Sequence, residues 1–472
     1  MKKIAKDSGL ALLAFKIGQH QFDINRGLTY ISMRDQIIRA RTLIHTAHSA
    51  EIFSQTDSSL SKEDSPPNVD VLIIGGGVGG ISAALAAVEL GLTTVVLEKN
   101  EVLFPLLRKG SDRLLSATVY DWPSLHFCEH NFPNISALAA DSSPKEDSLS
   151  ILNFPDAPIS PINLAAHLDQ QVAKYEKEYP NTLVINRNTA IPLESPFSWK
   201  ENRKRVVVSL AEPIKLAGAV SAHNFHTRIV VFAVGFGSEK VEIDHHQVAN
   251  DSFWGYESLE QDIQKYKDER ICNIVIEGSG DGGLQEVLRA ALLPKYHDLS
   301  LAIKLLEDEF GADLGCWHRS LIDIQCAENN AGRAYMWGYD GSEIFSRLDA
   351  VHDKVIQNLC KDHKKELQAW RRRVTRPQPN LVINLVDSHK TSARVYPLNR
   401  FLAKLLEETS DWESGVVVKR MTDSSTAGKP TFAPINRSGL EKPSDQFGTA
   451  TSDDYLRRSV FRSIPNHYSV IE

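Results

Sequence analysis

Paired cysteines, long apolar runs and an excess of positive charge are all missing from this sequence. Its 53 basic and 60 acidic residues give a net charge of −7, which provides no positive field for nucleic acid or an anionic membrane. The five cysteines include no CxxC pair, which argues against a disulfide framework and a zinc cluster and suits a reducing compartment. We therefore expect a cytoplasmic protein without a metal site, a nucleic-acid partner or a membrane partner.

Two apolar stretches are too short or too interrupted to act as targeting or membrane segments. The run from Leu10 to Phe15 has six residues, fewer than the roughly 7–15 of a secretory signal. The stretch from Val71 to Val88 has 18 uncharged residues, but five of them are glycines within 75–80. This composition indicates a buried strand, turn and helix rather than a membrane span.

With 472 residues, the chain is long enough for two or three domains. A stretch rich in Ser, Asp and Pro over residues 54–67 predicts a linker. Residues 300–376 are charged and have largely helical spacing. The predicted divisions are a helical arm and linker over 1–68, a first domain with a β-rich excursion over 69–265, a second domain over 266–410 with a helical insertion at about 300–380, and a partly irregular segment over 411–472.

The most informative segment is the first glycine-rich turn. Residues 69–74 predict a buried strand, and residues 81–90 predict a helix of small and apolar residues. Between them lies Gly75-x-Gly77-x-x-Gly80. In a dinucleotide site the first glycine permits a tight turn, the second lets the backbone approach the pyrophosphate, and the third lets helix and strand pack closely.

Two further features strengthen the interpretation of this turn. The N-terminus of the helix offers free N–H groups and partial positive charge to phosphates. Residues 93–97 predict the next strand, and Glu98 at its end is placed to accept hydrogen bonds from ribose hydroxyls. The pattern predicts a dinucleotide site. A glycine-rich turn that packs a core without binding a ligand is the alternative.

On these motifs the sequence resembles the FAD-dependent oxidoreductases with a Rossmann-type FAD domain, and more narrowly the flavoproteins with two dinucleotide-binding domains. The resemblance implies a return strand that ends in a turn of small residues. Residues 229–235 fit, although Val234 replaces the usual threonine. The residues that the resemblance implies for FAD binding are Gly75, Gly77, Val78, Gly79, Gly80, Glu98, Lys99, Ala233 and Gly235.

A second glycine-rich turn follows a predicted strand over 274–276. It has the form Gly278-x-Gly280-x-x-Gly283 and precedes a helical pattern over 284–293. In the two-domain flavoproteins this position belongs to the NAD(P)H domain, so the resemblance implies that NAD(P)H binds at these three glycines. The predicted fold is α/β: a Rossmann-type FAD-binding domain and a second, partly degenerate Rossmann-like NAD(P)-binding domain with a helical insertion.

Acidic residues make the second turn an imperfect match. The carboxylate of Asp281 opposes a phosphate unless it turns away or caps a helix, and Glu277 adds another negative charge. The next strand ending in an acid is residues 381–387, which places Asp387 at the ribose position of this domain. The alternative to NAD(P)H binding is a degenerate unit that only shapes the active site.

No motif identifies a catalytic residue. The redox cysteine pair of disulfide reductases is missing after the first βαβ unit, so the flavin itself would carry the chemistry. Tyr120, Asp121 and His126 lie where flavin and substrate contacts often arise in the family, and they are the candidate acid–base residues. A packed aromatic loop is the alternative. The basic run over 369–376 suits either the 2′-phosphate of NADPH or a solvated helix end.

The predicted function is that of an FAD-dependent oxidoreductase. We expect it to be linked to NAD(P)H and to pass hydride through the flavin to a small-molecule substrate or to O₂, with a monooxygenase-like outcome among the possibilities. One alternative is an oxidase in which the substrate reduces FAD without nicotinamide. Another is a non-catalytic regulatory module that binds flavin or another nucleotide.

Overall fold

The structure is a computed structural model that shows two units, each built on its own sheet. We call residues 12–235 the first unit and residues 258–436 the second unit. The described residues are 12–13, 15–24, 33–54, 67–116, 119, 122–123, 152–155, 157–191, 197–200, 205–235, 242–243, 246–247, 253–255, 258–311, 314–336, 342–386, 395–412, 415–422, 427–432 and 434–436.

The first unit combines a mostly parallel sheet with packed helices. A short 3₁₀ helix, Pro105–Arg108, follows its second βαβ strand. The remaining elements are β1 (Lys16–Gly18), β2 (Gln21–Asp23), α1 (Met33–Ser49), β3 (Asn68–Ile74), α2 (Val78–Glu89), β4 (Thr94–Leu97), α3 (Pro161–Glu178), β5 (Leu183–Asn186), β6 (Phe197–Lys200), β7 (Arg205–Lys215) and β8 (Ser221–Phe232). A separate two-stranded ribbon follows, with β9 (Glu242–Ile243) and β10 (His246–Gln247).

Strands of the first sheet run in the order β1-β2-β8-β3-β4-β5. The neighbours are parallel except for β1 and β2, and β7 adds antiparallel pairs with β6 and β8. Val71 to Ile74 of β3 are all buried apolar residues, as expected for a parallel strand covered on both faces. The β-rich excursion predicted from the sequence is thus β6, β7 and the first half of β8.

The N-terminal arm is packed into the first unit. Strand β2 pairs with β8, and the N–H of Ile24 donates to the carbonyl oxygen of Phe232 at 3.1 Å. Helix α1 packs along α2 with Ile37, Leu43 and Ile44 buried, as the helical spacing of these residues predicts. The described part of the arm therefore packs against α2, the helix that follows the first glycine-rich turn.

The second unit is a four-stranded parallel sheet with the order β13-β12-β11-β14. This order repeats β5-β4-β3-β8 of the first unit and is that of one half of a doubly wound nucleotide-binding fold. The α/β fold with a second Rossmann-like unit is therefore confirmed. Its elements are α4 (Leu259–Lys265), β11 (Cys272–Glu277), α5 (Asp281–Ala291), α6 (Leu299–Phe310), α7 (Leu314–Met336), α8 (Ser342–Asp362), α9 (Lys364–Val374), β12 (Leu381–Val386), α10 (Pro397–Glu408), β13 (Val417–Met421) and β14 (Ile435–Asn436).

A row of aromatic side chains runs through the core of the second unit. The ring centroids of Trp122 and Phe401 lie 5.1 Å apart, those of Phe401 and Trp317 lie 5.7 Å apart, and those of Trp317 and Phe310 lie 5.4 Å apart. Trp122 comes from the loop that follows β4 of the first unit. The first unit thus supplies part of the second unit's core.

The basic run over 369–376 divides between surface and core. Arg372 and Arg373 are exposed, as expected for a solvated helix end. Arg371 is instead buried and donates to the carbonyl oxygens of Leu406 and Val416, and burial lowers its pKa to about 10. These contacts join α9 to α10 and β13. Within the described chain, Arg371 is therefore a structural residue. It fits neither a contact with the 2′-phosphate of NADPH nor a solvated helix end.

Replacing Trp122 by alanine tests its place in this core. Trp122→Ala should destabilise the second unit by about 3–5 kcal/mol because it removes a buried aromatic ring. Urea unfolding followed by circular dichroism measures the change. Leu106→Ala is the control: it alters an exposed side chain of the same loop and should change stability by less than about 0.5 kcal/mol. Equal effects of the two variants would contradict this packing.

Candidate functional site

Two of the three glycines in the first turn are required by the chain's own geometry. Gly75 has φ +111°, and a Cβ there would lie 2.4 Å from the carbonyl oxygen of Ala233. A Cβ on Gly80 would lie 1.9 Å from the carbonyl oxygen of Gly75. Both distances are far below contact, so any larger residue at either position would push helix α2 away from the sheet.

Gly77 is different, because neither its backbone nor its packing requires glycine. It precedes α2 with φ −77° and ψ −176°, and a Cβ there would have nothing within 4 Å. Gly77 itself has no side chain that could cap this helix end. The space beside Gly77 therefore lies at the N-terminus of α2, where the partial positive charge of the helix suits a pyrophosphate.

Glu98 is held over this turn by three donors. It is 4% exposed, and its Oε2 accepts the N–H of Gly76 at 2.6 Å. Its Oε1 accepts the backbone N–H of Asn100 at 2.8 Å and the Asn100 side-chain amide. A carboxylate has about four acceptor positions, and these three donors occupy three of them. One position therefore remains for a ribose hydroxyl. The orientation fits the predicted role.

The end of β8 completes the first cluster. The N–H of Ala233 donates to the carbonyl oxygen of Ile74 at 2.8 Å, and Gly235 has φ +86°. Lys99 is exposed, whereas Val78 is buried in the first turn of α2. The structure thus brings the predicted FAD residues together around the N-terminus of α2. Their contact with FAD remains a prediction.

Gly79 has a second role that the sequence does not indicate. A Cβ there would lie 2.6 Å from Cδ1 of Ile24, so its missing side chain admits the N-terminal arm. Gly76 is similarly constrained, because its Cβ would lie 2.7 Å from Leu103. The run of three consecutive glycines was the available signal for Gly76. Nothing near Asn100 in the sequence indicated that it holds Glu98.

The second turn reproduces the backbone geometry of the first. Gly278 has φ +107°, and a Cβ on Gly283 would lie 1.7 Å from the carbonyl oxygen of Gly278. Gly280 precedes α5 with φ −72° and ψ 179°, and a Cβ there would have nothing within 4 Å. Here too, the middle glycine leaves open space at the N-terminus of a helix.

Asp281, the acid that makes the second turn imperfect, caps a neighbouring helix. Its Oδ1 accepts the N–H of Tyr396 at 2.7 Å and the side-chain amide of Asn399 at 3.0 Å. Tyr396 immediately precedes α10, so the positive end of that helix offsets the carboxylate charge. This arrangement reduces the conflict between Asp281 and a phosphate at α5.

Strand register supports the equivalence of the two turns. Leu97 lies opposite Ile74, and its carbonyl oxygen accepts the N–H of Gly75 at 2.8 Å. Val386 lies opposite Glu277, and its carbonyl oxygen accepts the N–H of Gly278 at 3.0 Å. By sequence, Asp387 follows Val386 as Glu98 follows Leu97. Asp387 itself lies outside the described residues.

The candidate catalytic residues Tyr120, Asp121 and His126 also lie outside the described residues. Their neighbours Val119 and Trp122 are buried in the second unit's core. No group of three His, Cys, Asp or Glu residues within the described ranges could hold a metal ion. Of the helices that the structure describes, none is both long and apolar enough to span a membrane.

Residues 70–103 match the family model of the FAD binding domain. This stretch of the chain is therefore similar to the βαβ unit of an FAD-binding domain. The match covers β3, the first glycine-rich turn, α2, β4 and Glu98, and it confirms the predicted resemblance to FAD-dependent flavoproteins in this unit. No curated protein matches the chain.

Solved structures that match include flavoproteins of different activities. The bacillithiol disulfide reductase Bdr of Staphylococcus aureus has 12% identity over 48% of this chain and 54% of its own, with a TM-score of 0.28. A mutant flavin monooxygenase from Stenotrophomonas maltophilia has 17% identity over 48% and 55%, with a TM-score of 0.24. A cyclohexanone-bound cyclohexanone monooxygenase has 17% identity over 48% and 36%, with a TM-score of 0.26.

These matches span about half of this chain and 36–55% of the matched chains. TM-scores of this size establish no shared overall arrangement. The assignment of the FAD unit therefore depends on the family match and on the geometry of the turn. The activity of the whole protein is a matter for proposal.

The contrast between the two kinds of glycine gives a stability prediction. Gly80→Ala and Gly283→Ala should each destabilise the protein by about 3 kcal/mol or more, because the new methyl group overlaps a backbone oxygen. Gly77→Ala and Gly280→Ala should change stability by less than about 1 kcal/mol, since their methyl groups enter open space. Thermal unfolding of the ligand-free protein measures all four. If Gly77→Ala destabilised the protein as much as Gly80→Ala, or Gly280→Ala as much as Gly283→Ala, the turns would not be formed as described.

Proposed function

We propose that the chain is an FAD-dependent oxidoreductase linked to NAD(P)H. Reduced nicotinamide would supply the hydride, bound FAD would accept it, and a bound small molecule or O₂ would be the final acceptor of the two electrons. The observation that carries this proposal is the repetition of one turn geometry in two parallel sheets of the same strand order. Each turn places a glycine with open space around it at the N-terminus of a helix, which suits one dinucleotide each.

The residues of the first unit fit FAD. The N–H groups that open α2 would bind the pyrophosphate, and the open space at Gly77 would admit it. The fixed carboxylate of Glu98 would bind the ribose hydroxyls. When bound, FAD supplies the hydride acceptor and donor, and the protein supplies orientation and electrostatics.

The residues of the second unit fit NAD(P)H with one modification. The open glycine Gly280 and the N-terminus of α5 repeat the phosphate-binding features of the first unit. Asp281 is turned toward the N-terminus of α10, which keeps its charge neutralised when a phosphate binds nearby. This capping contact is the reason we favour nicotinamide binding over a purely structural second turn.

Cys272 and Cys360 are poor candidates for a dithiol relay. Burial raises the pKa of Cys272, and burial followed by the charge of Glu408 raises the pKa of Cys360 to about 12. Both side chains are therefore thiols at neutral pH, and a thiol is a poor nucleophile. This favours direct transfer from the flavin to a small-molecule acceptor or to O₂, as in a reductase or a monooxygenase.

Cofactor analysis with two glycine variants tests the proposal. The purified protein should contain FAD, identified by mass after extraction, and anaerobic NADH or NADPH should bleach the flavin absorbance. Gly77→Ala should fold but lose FAD, because its methyl group occupies the space for the pyrophosphate. Gly280→Ala should retain FAD but resist bleaching. Each variant is the control for the other.

Two outcomes would contradict the proposal. A protein without FAD would remove the cofactor assignment. A protein with FAD that neither nicotinamide bleaches, and in which Gly280→Ala has no effect, would favour the oxidase or the regulatory module instead. Bleaching by a candidate amine or alcohol substrate would then distinguish the oxidase from the regulatory module.

The carboxylate of Glu98 gives a separate prediction for FAD affinity. Glu98→Gln should raise the dissociation constant of FAD about 10–100-fold, because a hydrogen bond to a charged group contributes about 1.5–3 kcal/mol. Fluorescence titration of the ligand-free protein with FAD measures the constant. Glu101→Gln is the control, since Glu101 is an exposed acid three positions away. An unchanged constant for Glu98→Gln would remove this residue from the site.

A further inference from the structure

Arg113 lies where the two units meet. It follows β4 in the first unit and is 2% exposed. Its guanidinium donates to the hydroxyl of Ser111 at 3.1 Å and to the carbonyl oxygen of Phe253, and it stacks 4.1 Å from the centroid of the Phe253 ring. Phe253 belongs to the segment that leads from the first unit to the second. Arg113 therefore contacts both its own loop and the connection between the units.

The same guanidinium is paired with a buried carboxylate of the second unit. Glu286 of α5 is fully buried, and its Oε1 accepts a hydrogen bond from Arg113. Its other oxygen accepts one from Arg289 at 3.2 Å, one turn later in the same helix. Glu286 thus lies between two arginines, of which only Arg113 comes from the other unit.

The position of Glu286 connects this ion pair to the second glycine-rich turn. Glu286 is five residues after Asp281, the first residue of α5, which is about 7.5 Å along the helix axis. A helix is rigid over that distance. Whatever fixes Glu286 therefore fixes the turn at the start of α5 as well.

A planar guanidinium with several fixed donors defines orientation better than a single contact does. Buried ion pairs contribute little net stability, and their best-attested role is to fix a particular packing arrangement. Contacts between domains of one chain otherwise leave relative motion as the default. Trp122 reaches α10 from the same loop, so Arg113 contacts α5 and Trp122 contacts α10, the two helices beside the second turn.

We propose that Arg113 is a positioning residue that sets the placement of the nicotinamide relative to the flavin. Through Glu286, Arg113 fixes α5 against the first unit. It thereby also fixes the second glycine-rich turn. The proposal rests on the proposed function, because it needs hydride transfer between two bound dinucleotides. Such transfer requires reacting atoms within about 3–3.5 Å, and a displacement of about 1 Å costs about 100-fold in rate.

Two variants, each with methionine in place of one of the two arginines that bind Glu286, test this role. Arg113→Met and Arg289→Met each remove one arginine from Glu286 and leave one neutral buried pair, so each should fold. Arg113→Met removes the hydrogen bond from the first unit to Glu286, whereas Arg289→Met removes one within α5. At saturating NADH or NADPH, it should slow anaerobic flavin reduction about 100-fold while the nicotinamide dissociation constant is unchanged. Arg289→Met should reduce its flavin at the wild-type rate.

Two additional measurements distinguish positioning from general damage. Dithionite, which needs no second unit, should reduce the flavin of both variants at the wild-type rate. Arg113→Lys keeps the charge but loses the planar fork, so its rate should lie between those of wild type and Arg113→Met. Equal rates for Arg113→Met and wild type, or equal losses in both methionine variants, would overturn the proposal.

Amide hydrogen exchange measures the link between the two units without any bound nucleotide. Arg113→Met should speed exchange in residues 111–116, in 253–255 and at the start of α5, whereas Arg289→Met should leave 111–116 and 253–255 unchanged. If neither nicotinamide reduces the wild-type flavin, the proposed function fails, and the positioning role fails with it. An altered exchange pattern would then show only that Arg113 joins the two units.

Discussion

The contact between a glycine Cα and the carbonyl oxygen at the start of its own turn is the constraint on which both units depend. It occurs between Gly80 and Gly75, and again between Gly283 and Gly278. Because no side chain intervenes, each helix starts directly against its strand and aims its N–H groups beyond the sheet edge. This contact also sets where the open middle glycine and the acid after the next strand lie relative to the N-terminus of the helix.

The two units differ in how charge is managed around the same geometry. In the first, the N-terminus of α2 has no acid, and Glu98 is held beside it by Gly76 and Asn100. In the second, Asp281 lies within the first turn of α5 but is bound by the N-terminus of α10. An acidic residue in the first turn of such a helix is thus compatible with the turn geometry when the N-terminus of a neighbouring helix offsets its charge.

Local patterns made the turns predictable, whereas contacts between distant segments were not. The spacing of Gly75, Gly77 and Gly80 indicated strand, turn and helix, since each role depends on neighbours in the sequence. Sequence also indicated residues 381–387 as the next strand of the second unit despite the helical segment between them. The pairing of Arg113 with Glu286 joins residues 173 positions apart, and no periodicity encodes it. Likewise, the buried role of Arg371 depends on α10 and β13, so the basic run alone gave no sign of it.

The place of β2 beside β8 has a consequence for how the first sheet ends. Strand β8 would otherwise be an edge strand over residues 230–232, with unpaired backbone groups able to recruit a strand from another molecule. The β1–β2 hairpin covers that edge, and Arg39 secures the following chain through the carbonyl oxygen of Ile24. The segment ahead of the glycine-rich turn therefore leaves the three-residue strand β1, rather than the long strand β8, at this edge of the sheet.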